Sequence, residues 1–195
     1  MGMATPPAAV RALIAAAVTV PHLHQLHAHL LTSGRLASLG PDLLRRLISI
    51  PATPLPLAPR LLLSLPSPPL DLFNLLLPPL AASHDPAAAA DLFVGLRRGG
   101  LRPDAHTLPH VLKALARLAP GSLPLVASTH ADAVKSGLSC AVVYVPNALM
   151  AAYSACGHLV RAMQVFDEMS RRTVVSWNTA LTACADNGRH DQCAG

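Results

Sequence analysis

Few residues in this chain are placed to do chemistry. Four histidines, His22, His24, His27 and His29, fall within eight residues. On a helix His22 and His29 share a face, an arrangement a divalent metal could use. No cysteine or carboxylate lies near enough in sequence to complete the ligand set, so a solvated helix surface is favoured. The four cysteines, Cys140, Cys156, Cys184 and Cys193, form no Cys-x-x-Cys pair. Cys156 and Cys184 fall in segments that read as helices, where cysteine behaves as a small apolar residue. All four are expected to be free thiols in a reducing compartment. Gly-x-Ser-x-Gly, P-loop and His-Glu-x-x-His motifs do not occur. Neither catalysis nor a cofactor is expected.

The informative residues are two asparagines. Asn147-Ala-Leu-Met-Ala-Ala-Tyr-Ser-Ala-Cys-Gly157 and Asn178-Thr-Ala-Leu-Thr-Ala-Cys-Ala-Asp-Asn-Gly188 repeat one pattern 31 residues apart. Each opens on Asn, runs through small and apolar residues, and closes on Gly. An older copy shares the plan, since Asn74 to Asn147 and Phe93 to Phe166 are both 73 residues. Recurrence at such periods means stacked supersecondary units. Each unit reads as a helical hairpin. Asn147 to Ala155 forms a short first helix, Gly157 supplies the stop, and His158 begins the return. On that return helix Leu159, Ala162, Met163, Phe166 and Met169 fall at helical spacing. Pro86 sits where an earlier return helix should start. Hairpins this small bury their apolar faces only by stacking. The expected fold is therefore all-α, a right-handed α-solenoid of about four to five stacked hairpins.

Bulk properties agree. The 195-residue chain is 52% hydrophobic and 13% charged, which argues against disorder. Its 19 prolines crowd the stretch from Pro51 to Pro86, expected to be the least regular. Prolines and Asp71 interrupt the apolar run Leu61–Leu80, so no membrane span is read there. The net charge of +5 comes from thirteen Arg against two Lys, and fits either a polyanion partner or ordinary solubility. Residues 1–21 are Ala-rich and acid-free, and read as an N-terminal extension, a transit peptide for mitochondrion or chloroplast. A short signal-peptide core at Ala12–Val20 is the other reading.

Val143-Tyr-Val-Pro-Asn147, the Asn147–Gly157 run, Ala162-Met-Gln-Val-Phe-Asp-Glu-Met169 and Val174-Val-Ser-Trp-Asn178 together resemble the plant pentatricopeptide repeat (PPR) family. More narrowly they resemble its PLS subfamily, whose units come in long, standard and short forms. Residues 70–104 look like a standard unit, 105–142 a long one and 143–173 a short one. Residues 174–195 look like the opening of a further unit, and 22–69 like degenerate repeats. His24-Gln-Leu-His-Ala-His-Leu-Leu-Thr-Ser-Gly34 resembles the second half of a long unit.

The resemblance implies binding of single-stranded RNA at roughly one base per repeat. In the family the fifth and last residues of a unit read the base. Mapped here, those are Asn74 with Asp104, Asn147 with Thr173, and Asn178, whose closing partner is missing. An Asn amide both donates to and accepts from a base edge, and Asp can hold it in one orientation. In the family Asn with Asp favours uracil; Thr173 stands where Asp is more usual. The long unit offers Pro109 at its fifth position and so spaces rather than reads. The bland alternative for each Asn is a helix cap. Trp177 could stack on a base, though packing on the neighbouring hairpin is favoured. Arg171 and Arg172 fit either phosphate contact or a solvated turn. Zinc-deaminase motifs, which close some PLS proteins, do not occur, so editing chemistry would come from a separate recruited deaminase.

The last unit stops early, which gives the chain the look of a truncated product with weak RNA affinity. The leading expectation is an adaptor for organellar RNA editing or processing. A protein-binding scaffold of the tetratricopeptide type is the alternative. Its constant 34-residue period contrasts with units of 31 to about 38 here. A non-functional truncated family member is the third reading.

Overall fold

Helix boundaries here follow from backbone chemistry that the sequence announces. The computed structural model describes residues 7–17, 19–49 and 57–188, and among them the regular structure is helical throughout. Cys193 and residues 1–6, the start of the 1–21 segment expected to be a transit peptide, lie outside the described residues. Two compact units divide the chain, residues 1–76 and 77–195.

The first unit contains α1 (Pro7–Ala16), α2 (Val20–Thr32), α3 (Leu36–Ser49) and α4 (Leu57–Ser64). Helix α3 is the centre, packing on α1, α2 and α4. Its Leu39, Leu43, Leu44 and Leu47 recur at three- and four-residue steps, so one stripe is buried. The Arg46 Nε donates to the Ala17 carbonyl at 2.8 Å, closing the end of α1. Exposed ion pairs join Arg11 to Asp42 and Arg45 to Asp71, each a small contribution in solvent.

Helix α5 (Leu70–Ala82) runs on through Pro78 and Pro79. This part of the proline-rich stretch is thus more regular than expected. Each ring removes a helical N–H, but buried Leu72, Phe73, Leu76, Leu77 and Leu80 hold the segment helical by packing.

The second unit continues with α6 (Ala87–Arg98), α7 (Thr107–Arg117), α8 (Leu123–Lys135), the single turn α9 (Leu138–Ala141), α10 (Tyr144–Ala155), α11 (Leu159–Glu168) and α12 (Val174–Asp186). Pro86 immediately precedes α6, and His158 immediately precedes α11. Gly157 has φ of 76°, a conformation only glycine adopts at no steric cost. The turn it makes brings the His158 N–H to the Tyr153 carbonyl at 2.9 Å. Helix α10 packs on α7, α8, α11 and α12. Burial from so many sides explains its small and apolar sequence, with Val145, Leu149, Met150, Ala152 and Tyr153 all buried. On α11, Leu159, Ala162 and Phe166 are buried as their spacing predicts, with Val165 beside them.

Arginine has a structural use that sequence reasoning missed. The Arg117 guanidinium donates to the carbonyls of Ala81 and Ser83 at 2.7 and 2.6 Å, closing the end of α5. Arg172 donates to the carbonyls of Phe166 and Asp167 at the end of α11. With Arg46, three guanidiniums serve helix C-termini, where a cation is favoured. Part of the basic excess is therefore spent inside the fold. Cys140 and Cys156 are free thiols. Cys184 is disulfide-bonded, which corrects the expectation of four free thiols.

Candidate nucleic-acid interface

Each helix that opens a hairpin keeps one stripe toward solvent. On α10 the stripe is Tyr144, Asn147, Ala148, Ala151 and Ala155, all exposed or half-buried. Their three- and four-residue steps put them on one face. Alanine along this face leaves Tyr144 and Asn147 as its hydrogen-bonding side chains. On α12 the stripe includes Asn178, Leu181, Thr182 and Ala185. On α7 it is Pro109, His110, Lys113, Ala116 and Arg117. On α5, Asp71, Asn74, Leu75, Pro78 and Ala82 are exposed or half-buried at the same steps.

The three asparagines therefore lie within the first five residues of their helices, on solvent stripes. Asn147 is half-buried, and its Oδ1 is buried with no hydrogen-bond partner. An unsatisfied buried acceptor costs roughly 1–3 kcal/mol, so Asn147 gains no stability through this atom. Asn74 is also half-buried, while Asn178 is exposed.

Capping falls elsewhere than on the asparagines. A cap must precede its helix, and α10 starts at Tyr144, three residues before Asn147. The closing residues Asp104 and Thr173 take that role. Asp104 Oδ1 accepts from the backbone N–H groups of His106 and Thr107 at 2.9 and 2.8 Å and from the Thr107 hydroxyl at 2.9 Å. The Asp104 N–H in turn donates to the Thr107 Oγ1 at 3.1 Å. Thr173 and Ser176 form the same reciprocal box at the start of α12.

Other candidates are also resolved by contact. Trp177 meets Phe166 edge-on at 4.8 Å between centroids, the favoured packing on the preceding hairpin. Arg172 lies over the same Phe166 ring at 4.9 Å besides holding the α11 carbonyls. Arg171 is exposed. Among the described residues no His, Cys, Asp or Glu group converges to hold a metal, and no helix is long and apolar enough to cross a membrane.

Lys113 is the residue that sequence reasoning overlooked. It is exposed, one turn beyond Pro109 on the α7 stripe. The signal was its four-residue spacing from the fifth-position residue. Burial first, then the Lys113 and His106 charges, holds the His110 pKa below its ordinary 6.5, favouring neutral imidazole there. Burial likewise lowers the His130 pKa; its Nδ1 lies 3.1 Å from the Tyr153 hydroxyl.

Hairpins whose opening helices stack and offer one stripe each to solvent define a helical-repeat protein. The PPR repeat family matches residues 144–174 and 175–195. A pentatricopeptide repeat-containing protein of Arabidopsis thaliana is 30% identical over 180 residues, which is 89% of this chain and 30% of that protein. Another from the same plant, named chloroplastic, is 39% identical over 100 residues, covering 51% of this chain and 18% of its own length. The crystal structure of the pentatricopeptide repeat protein PPR10 from maize superposes with a TM-score of 0.75 at 21% identity. That match covers 95% of this chain and 27% of the maize chain, and establishes the α-solenoid fold. The protein is a pentatricopeptide repeat protein, and it spans between 13% and 35% of the length of these and other curated relatives it matches.

Proposed function

We propose that this chain binds single-stranded RNA along the solvent stripes of its opening helices, as a PLS-type adaptor. Asn147 is the principal reader, with Asn74 and Asn178 at equivalent positions. The observation that carries this reading is the placement of Asn147, half-buried among exposed and half-buried alanines on the solvent stripe of α10. An amide oxygen accepts a base N–H while its NH₂ donates to a base carbonyl, which matches the edge of uracil. Asp104 and Thr173 act by fixing where each following helix begins. Lys113 meets the phosphate backbone, a sequence-independent contact. Units at 70–104, 143–173 and from 174 onward each offer one reading position, and the unit at 105–142 spaces them. Such recognition would serve RNA editing or processing in a mitochondrion or chloroplast, with a separate deaminase supplying any chemistry. The chloroplastic name of one relative supports that compartment.

The test is ultraviolet cross-linking of the chain to short pyrimidine-rich RNA. Asn74→Ala combined with Asn147→Ala should lower the yield about tenfold, the effect of losing hydrogen bonds to a base. Unchanged cross-linking in the double variant overturns the assignment.

A further inference from the structure

The first unit carries a cavity that RNA reading does not use. It lies between α2, α3 and α4, has a volume of about 150 Å³, and is walled chiefly by Leu23, Leu43, Leu47, Leu57 and Leu61. The cavity opens to solvent on one side, and its volume admits a ring the size of benzene. Four polar residues break the apolar wall, His24, His27, Arg60 and Ser64, and two of them bear on a ligand, His27 and Arg60. His27 Nε2 is buried without a hydrogen-bond partner. Buried polar atoms in folded proteins are ordinarily satisfied, so an orphan beside an apolar hole points to a missing polar ligand atom. Arg60 is exposed at the same cavity and makes no ion pair among the described residues. A guanidinium and an imidazole N–H are both donors, and a carboxylate accepts from both.

We infer that this cavity binds a small apolar monocarboxylate, its hydrocarbon body among the leucines and its carboxylate reaching His27 and Arg60. Burial and the His24 charge keep His27 neutral, with one ring N–H available to donate. This site is independent of the RNA-binding reading and survives its failure.

Saturation-transfer NMR on the 195-residue chain, titrated separately with benzoate and toluene, tests it. Benzoate should bind saturably and compete with toluene. Arg60→Gln should weaken benzoate about tenfold and leave toluene unchanged, because only the charged hydrogen bond is lost. Leu61→Phe should exclude both probes by filling the cavity. No saturable benzoate binding overturns the proposal, as does toluene binding alone or benzoate binding indifferent to Arg60→Gln. Should Leu61→Phe lose helicity by circular dichroism, the exposed Arg60→Gln change still decides.

Discussion

Helices α7 and α10 pack directly on each other yet offer solvent opposite chemistry. The α10 stripe is almost all alanine around one amide, Asn147, whose acceptor has no partner. The α7 stripe has Pro109 in the corresponding place and carries Lys113 and Arg117 beyond it. Small residues on α10 leave room for a base to approach the amide. Proline on α7 offers no group that can distinguish bases, and a cation beside it suits phosphate. On the proposed function, neighbouring hairpins would divide recognition, one face for identity and the next for charge. Arg117 looks like part of the basic face but is bound to the α5 carbonyls, so Lys113 carries that role alone.

The largest effect in this contrast belongs to Arg117. Arg117→Ala should cost about 2 kcal/mol of stability by stripping the α5 end, measured by urea denaturation, while RNA affinity at matched folding is unchanged. Next is Asn147→Ala, which should weaken pyrimidine RNA about tenfold without lowering stability, since it removes an orphan acceptor. Thr173→Ala should remove about 1 kcal/mol of stability through loss of the α12 box, and Thr173→Ser should restore most of it. Lys113→Gln should weaken all RNA sequences alike and reduce the slope of log affinity against log salt by about 1. The smallest effect is a pH dependence. His110 has a lowered folded pKa, so below 6.5 the unfolded chain binds more protons than the folded one. Its contribution is complete above 6.5 and lost as pH falls through the folded pKa. Denaturation at pH 7.5 and 5.5 should show His110→Asn flattening that decline.

Much of this architecture is legible in the sequence, because the signals are local. The Asn147–Gly157 pattern, the Gly157 stop and the buried spacing of α11 depend on residues within one hairpin. The reciprocal boxes are legible too, as Asp104 with Thr107 and Thr173 with Ser176, because each joins residues three apart. The arginine contacts were not legible. Arg117 reaches carbonyls 34 and 36 residues away, and stacking alone sets that distance. Pro78 and Pro79 misled for the same reason, since leucine and phenylalanine burial outweighed two missing N–H groups in α5.

The central claim is that Asn147 meets a base. The most direct measurement is the side-chain amide resonance of Asn147 by nitrogen-15 NMR while short uridine or adenosine oligomers are added. The account predicts a saturable shift of that resonance with the uridine oligomer and a much smaller one with adenosine. RNA that binds while leaving the Asn147 amide unmoved would contradict it.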